Sequence, residues 1–531
     1  MTRYYLTLLL ALLMPGYTFA QDILEPVASK SAAVDPLAQL PQVGQSAEGK
    51  EFLLTKDNYF PYQNYLLQPF VDWMLNNKAI FRAWRGAEVD NNLSNSWQVG
   101  SATNEGTYKI DDKRNLAVNI LSSRELAGFP FYPAETINQE ADPRLRADKI
   151  LWNMNLGFYV NHDLQLDLEL SWFNDKSLLR KAKGFYYGLQ PEYPKVISDA
   201  QERLIDNEVV MQRSLFKVTS PAAIYGYASV SERFWGSRED QYWIYSPVIE
   251  RSRKVNAANR GDVLLSEPLT LDDFFVWSGK PQAFQGRVLE EKTVFAFYAN
   301  SGKIKMQRES LAKDYFSYHT QTAAMALNLS EQTDKPDTTG AMTAHGIHRR
   351  YDGNNMFVLM NQDTQKYPGY LPWLPVSSYF IPRKVWIVEL TPNDPFYQHS
   401  RQILFVDQRT MLPLYRFSYD VLGNLQKVII GVWAMVADNE QQLGMPLPAL
   451  VVVSNFDSTQ VCTLNITSAR TFAGDKNELV ENLQKMLDIT QHDKLATAQA
   501  SGKSHTPAIA EPENEAGSAP ATPTAPDGGD D

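Results

Sequence analysis

The stretch from Leu164 to Trp172 constrains the fold more than any other part of the chain. Leu164, Leu166, Leu168, Leu170 and Trp172 alternate there with Gln165, Asp167, Glu169 and Ser171. A period of two is the spacing of a β-strand, whose successive side chains point to opposite faces. One face then meets an apolar interior and the other meets water, as in an antiparallel sheet with one solvated side. The five apolar residues are therefore either ordinary core or the lining of a cavity for a hydrophobic ligand.

The rest of the middle of the chain is also strand-like. Further β-rich runs are 208–218, 222–234, 241–255, 286–300, 384–390, 402–407, 413–419, 425–436 and 450–454. Leu422-Gly423-Asn424 joins two of them as a hairpin turn. Strands do not alternate with helices, which argues against a doubly wound parallel sheet. The runs before and after about residue 300 read as two halves of one long sheet. Helices are expected at the ends. Phe70, Trp73, Met74, Phe81 and Trp84 predict one from Gln68 to Arg85, and Leu479, Leu483, Met486 and Thr490 predict another behind a cap at Asp475. The expected class is mainly β with helices (α+β).

Residues 1–20 read as a cleavable signal peptide. Arg3 gives a positive start, Tyr4–Met14 an apolar run, Pro15-Gly16 a break and Thr18-Phe19-Ala20 a cleavage pattern. The apolar run of about 11 residues is short for a membrane anchor, which needs roughly 20. Residues 21–50 read as a flexible linker, 51–490 as one β-rich domain, and 491–531 as a disordered, acidic, Pro/Ala-rich tail. The protein is thus expected in the periplasm, with no transmembrane span once processed.

Composition excludes several classes. Fifty basic residues against 61 acidic ones give a net charge of −11, without the basic footprint of a nucleic-acid binder. Removing residues 1–20 takes one arginine, so the mature charge is 49 − 61 = −12. Residues 495–531 hold six acids against one lysine, so much of the acidity belongs to the tail. One cysteine rules out a disulfide framework, and Cys462, between strand formers, reads as a buried inert thiol.

Catalytic motifs are absent: there is no phosphate-binding loop, dinucleotide fingerprint, zincin helix or nucleophile elbow. His345 and His348 have a metal-compatible spacing, but Arg349-Arg350 follows directly and the surroundings are those of a solvated loop, so no metal or other cofactor is expected. Glu290-Glu291 and Asp272-Asp273 are paired acids, but neighbours on a strand face opposite ways, a poor arrangement for a catalytic dyad. Between Tyr367 and Pro382, prolines forbid a helix or central strand while Tyr370, Leu371, Trp373 and Leu374 demand apolar surroundings. That loop is either tucked over the core or a lid beside a cavity.

Several motifs resemble a known family. Gly128-Phe129-Pro130-Phe131-Tyr132-Pro133 is followed by Trp152-Asn153, and Trp243-Ile244-Tyr245-Ser246-Pro247 by Arg251 and Arg253. Leu271-Asp272-Asp273-Phe274, Trp277-Ser278-Gly279, the run 385–390, His399 and the run 404–407 complete the set. Together they resemble the bacterial periplasmic "domain of unknown function 1329" family, similar in fold to the LolA/LolB lipoprotein carriers. Glu250, Lys254 and Trp277-Ser278 depart from the family pattern. The resemblance implies a large curved antiparallel sheet, a half-barrel wrapped around helices and enclosing an apolar cavity. It implies a non-enzymatic periplasmic carrier or accessory protein for a lipid or other hydrophobic small molecule, serving an envelope exporter or an outer-membrane protein. An envelope scaffold without a small ligand and an envelope-polymer hydrolase are the alternatives.

Overall fold

The strand read from alternation forms at Asp163–Phe173, and its apolar side chains at 164, 166, 168, 170 and 172 are at most 5% exposed. The computed structural model describes residues 35–43, 52–86, 95–118, 128–159, 163–189, 196–198, 203–205, 210–299, 305–308, 315–318, 358–438, 444–456 and 458–472. The expected signal peptide, the helix after Asp475, His345, His348 and the tail lie outside these residues.

From Asp163–Phe173 an antiparallel ladder extends both ways. On one side it runs through Leu178–Leu189, Val210–Ser220, Ala228–Phe234, Gln241–Ser246 and Arg251–Val255. On the other it runs through Val461–Phe472, Gly444–Asn455, Leu425–Asp438, Pro413–Tyr419, Arg401–Asp407, Tyr379–Pro392 and Phe284–Tyr298. Among the described residues these strands belong to one sheet of seventeen, and four further short strands form a second sheet. The protein is mainly β with helices, as expected. The sheet is not purely antiparallel, because Phe380 pairs with Ala83, and Tyr298 with Trp433, in parallel. The second of these pairings shows the curvature: the last strand of the ladder bends round to meet a strand four places back.

Helix Pro143–Tyr159 packs against Phe284–Tyr298 on this curved sheet. Ala147, Ile150, Leu151, Trp152, Asn153, Met154 and Leu156 are all at most 3% exposed, so burial reaches around the helix rather than along one stripe. That is why no amphipathic period announced it. Gly286 permits the contact, since a Cβ there would stand 3.0 Å from the Cβ of Ala147.

Three expectations need correction. The helix beginning at Gln68 ends at Leu75, because Asn77 takes a left-handed conformation and turns the chain. Phe81 then belongs to the strand Phe81–Ala83, and Trp84 follows directly after it. Part of the expected linker is built into the fold. Asp35 caps a turn of 3-10 helix at Pro36–Gln39, Leu40 and Val43 are buried, and the Val43 amide donates to the Arg85 carbonyl at 2.8 Å. Finally, the polar face of Asp163–Phe173 is not fully solvated: Glu169 is 9% and Ser171 0% exposed. Asn465, opposite Glu169 in the ladder, donates to the Val358 carbonyl at 2.8 Å, which places the 358–377 segment over that face.

Candidate functional site

A cleft forms where the strands from 178 to 246 meet the loop Leu271–Ser278. Period-two geometry sends Gln212, Ser214 and Phe216 to one face of their strand and Ser229, Ser231 and Arg233 to the same face of the next. The register sets Phe216 opposite Ser229, Ser214 opposite Ser231 and Gln212 opposite Arg233. Tyr186 and Tyr242 border this hydroxyl-rich wall. The facing wall is apolar, with Leu271, Phe274 and Phe275. The walls enclose a cavity of about 50 Å³. A water needs about 10–15 Å³, so the cleft has room for a few waters.

The loop is bent to deliver its rings. A 3-10 turn at Leu271–Asp273, capped by reciprocal Thr270–Asp273 hydrogen bonds, leads into Phe275 and Val276, both with positive φ (57° and 73°). Left-handed backbone is costly for such residues, of order 1–3 kcal/mol each, and persists only where surrounding structure enforces it. Gly431 is part of that enforcement: a Cβ there would lie 2.5 Å from the Val276 side chain.

Behind the cleft lies a buried charged cluster. Arg233 donates from Nε to Asp240 at 2.9 Å, from Nη1 to Asn155 at 2.7 Å and from Nη2 to the Ser278 carbonyl at 2.5 Å. Arg260 donates from Nε to Asp272 at 2.5 Å, from Nη2 to the same Ser278 carbonyl at 2.5 Å and from Nη1 to the Tyr242 hydroxyl. Lys280 stands 3.4 Å from Asp240. Deeper still, Arg416 donates to Asp273 and, at 2.6 Å, to the Asp272 carbonyl, while Lys427 lies 3.3 Å from Asp273. The Tyr397 hydroxyl donates to Asp272.

Burial raises the Asp273 and Asp240 carboxyls, but their cationic neighbours outweigh it and hold both below the ordinary range. Burial lowers Lys280 and Lys427, and pushes the Tyr397 hydroxyl far up. His399 is driven down to about 3, first by burial and then by Lys427 and Arg416, so it is neutral. Asp272-Asp273 is thus not a strand pair at all but a turn whose two carboxylates anchor separate arginines.

The residues expected to form a site are scattered. Leu164, Leu166, Leu168, Leu170 and Trp172 are core and line neither this cleft nor the second cavity. That second cavity, about 120 Å³, lies between Trp73, Trp373, Leu371 and Phe456 and holds the half-exposed pair Lys78–Asp175. Leu371, Trp373 and Leu374 are each 2% exposed and Tyr370 is half-buried. The Leu371 amide donates to the Lys78 carbonyl at 2.7 Å, and the Asn361 side chain ties the Tyr367 and Tyr370 carbonyls. The proline-rich loop is thus docked. Trp152 donates to the Arg114 carbonyl, and Asn153 accepts from the Phe131 amide at 3.0 Å, joining two motifs that include Phe129 and Pro130. Trp243, Tyr245, Pro247, Arg251 and Arg253 lie in the hairpin at the sheet's end, with both arginines exposed. Cys462 is buried, which pushes its thiol up.

The cleft residues Arg233, Arg260 and the serines left no spacing signal of their own. The usable clue was Leu271–Ser278, whose two acids and three aromatics stand together in the sequence. Among the described residues no group of histidine, cysteine and carboxylates could hold a metal ion.

Residues 95–329 match the family described as "Protein of unknown function (DUF1329)", which bears out the resemblance over that segment. The segment includes the whole cleft. No curated protein matches. Among solved structures, a DUF1329 family protein from Desulfovibrio piger is similar at 12% identity, over 63% of this chain and 97% of its own, with a TM-score of 0.37. A domain from Vibrio parahaemolyticus, provisionally described as an outer membrane lipoprotein-sorting protein, is similar at 12% identity over 64% and 97%, with a TM-score of 0.37. A LolA superfamily protein from Nitrosomonas europaea is similar at 13% identity over 63% and 96%, with a TM-score of 0.31.

Proposed function

We propose that this protein is an exported, periplasmic, non-enzymatic carrier or accessory protein that takes a lipid or other hydrophobic molecule into the cleft between the serine wall and Phe274-Phe275. The observation that carries this reading is the strained turn that presents two phenylalanine rings to a partly open cleft. Apolar contact with a chain gains about 0.8 kcal/mol per buried methylene. The volume open to water admits only the leading part of such a molecule unless the loop yields. Delivery to or from an envelope exporter or an outer-membrane protein fits an exported chain; no helix of the described residues is long and apolar enough to cross a membrane.

The test is native mass spectrometry of full-length protein extracted from its own envelope without detergent. A co-purifying lipid-like adduct, lost in Phe274→Asp, is the expected result. Protein free of any adduct, which also fails to take up added lipid, would overturn the proposal.

A second reading, an interaction scaffold, is favoured by one feature. The hairpin 241–255 exposes Val248 (78%) and Ile249 (63%) beside Arg251 and Arg253. Loss of a captured envelope protein on replacing both apolar residues with serine, with ligand binding absent throughout, would select it.

A further inference from the structure

We infer that one rim of the large sheet docks on a lipid bilayer of zwitterionic head groups, sinking its apolar turn tips among them. In the ladder Leu390 pairs with Gln402, Arg401 with Tyr419, Lys427 with Asn455, Val461 with Phe173 and Phe173 with Leu178. The connections at 393–400, 420–424 and 174–177, and the one from Asn455 to Val461, therefore leave the same end of the sheet. Two of them touch directly: the Ser400 amide donates to the Tyr419 carbonyl at 3.0 Å and its hydroxyl to the Asp420 carbonyl. The Phe456 amide donates to the Gln426 carbonyl at 2.8 Å, which holds a third beside them.

This rim is apolar where turns are ordinarily polar. No large apolar side chain among the described residues is more exposed than Phe396 (86%) or Leu422 (83%). Val421 (78%), Leu179 (54%) and Phe456 (37%) share the rim with them. Closing the turns does not require these side chains. Asp394 accepts from the Phe396 amide at 2.9 Å, and Asp420 accepts from the Leu422 and Asn424 amides at 2.8 Å. Gly423 supplies the positive φ, 86°. Exposed apolar residues gathered on one edge mark an interaction surface.

Shape and charge select the occupant. The tips stand on separate projecting turns, which a soft bilayer surface accepts one by one. A protein partner would need a matching socket for each. Asp394 and Asp420 belong to the tips, and Lys176 and Arg180 are exposed beside Leu179, so the rim carries both signs, as a zwitterionic surface does. The second cavity lies at this rim too. Phe456 and Val461 line it, with Trp73 and Trp373 as further walls and the half-exposed pair Lys78–Asp175 between them. A zwitterionic head group complements that pair, its phosphate towards Lys78 and its ammonium towards Asp175 and the aromatic faces. Within the carrier reading, on which this rests, the rim is where the cargo is met.

The experiment is sedimentation of the protein, extracted from its own envelope without detergent, with vesicles of phosphatidylcholine or of phosphatidylglycerol. Wild type should bind both, and phosphatidylcholine more tightly. The combined variant Phe396→Ser, Val421→Ser, Leu422→Ser should keep its Tm and bind phosphatidylcholine at least about tenfold more weakly. Phe60→Ser should bind as wild type does, because Phe60 is 73% exposed but off the rim. Tyr62, in the same 3-10 helix, meets Phe295 at 6.2 Å, and Phe295 pairs with Pro382 rather than with Pro392 at the rim. A polarity-sensitive fluorophore attached through Leu422→Cys should shift to the blue on the vesicles, Cys462 being buried and unlabelled. Absence of vesicle binding by wild type, equal binding by the combined variant, preference for phosphatidylglycerol or an unshifted fluorophore would each overturn the inference. A concentration-dependent dimer that the combined variant loses, without vesicle binding, would give the rim to a second copy and overturn it as well. In any of these cases a co-purifying lipid-like adduct would leave the carrier reading standing, and its absence together with failed lipid uptake would remove that reading separately.

Discussion

Around Phe380 the sheet closes on rings, and around Ser231 the same sheet closes on charges and hydroxyls. Phe380 stacks on Phe81 and Phe295 with centroids 4.8 and 4.9 Å apart, and Phe297 and Phe70 fill the sides at 4.6 and 5.8 Å. All five are at most 2% exposed, and the Tyr415 hydroxyl buried among them donates to the Phe295 carbonyl at 2.7 Å. Near Ser231 the inward face carries serine, glutamine and arginine, and the opposite face carries Leu215, Ala228 and Val230, a small apolar cluster apart from the main core. An aromatic core gains from every contact without directional demands. A charged interior is tolerable only where each ion has partners, and it gives little net stability. The second region therefore gains less stability from its buried residues than the first, and its cleft is where the proposed ligand would bind.

Substitutions in either region should separate the two kinds of interior. The largest effects belong to the two buried anchors. Phe380→Ala should lose about 3–5 kcal/mol in urea unfolding, at any pH, because only packing is removed. Arg416→Met should lose about 3–5 kcal/mol at neutral pH, because Asp273 keeps its charge with Lys427 alone beside it. This second loss should shrink in acid. The wild-type Asp273 carboxyl is held below its ordinary range, so the pairing stabilises above the unfolded pKa and fades as pH falls through the folded one. A pH-independent loss at Arg416 would erase the distinction between the two regions.

His399 gives a smaller, graded test. Its folded pKa of about 3 lies below the unfolded 6.5, so the unfolded chain binds the proton first. Its contribution is complete above pH 6.5 and declines as pH falls towards 3, by up to about 1.4 kcal/mol per pH unit. His399→Leu should flatten stability between pH 6.5 and 4, measured by urea titration at each pH; an unchanged slope would show that the imidazole is not buried neutral. Smallest of all, Val248→Ser at the exposed hairpin tip should change stability by less than about 0.5 kcal/mol.

Alternation and β-forming runs made most strands legible, since a two-residue period survives wherever one face is buried. Pro413–Tyr419 was readable to the residue, and the Asp420–Asn424 turn formed around Gly423 at φ 86°. Helix Pro143–Tyr159 was not readable, because buried residues surround it. The cleft was hardest to see. Ser214, Ser229 and Ser231 look like the wet face of a strand, and only the register with a covering loop turns that face inward. The acids at 272 and 273 looked like a strand pair because nothing in their spacing reveals a 3-10 turn.

The most direct measurement is the affinity of a neutral hydrophobic fluorophore, N-phenyl-1-naphthylamine, for the wild type and for Ser231→Phe, whose added ring would fill the cleft. The account predicts that the wild type binds the dye and that the variant, folded with an unchanged Tm, binds it at least about tenfold more weakly, the equivalent of about 1.4 kcal/mol. Equal affinity in the two proteins, or no binding by the wild type, would contradict it.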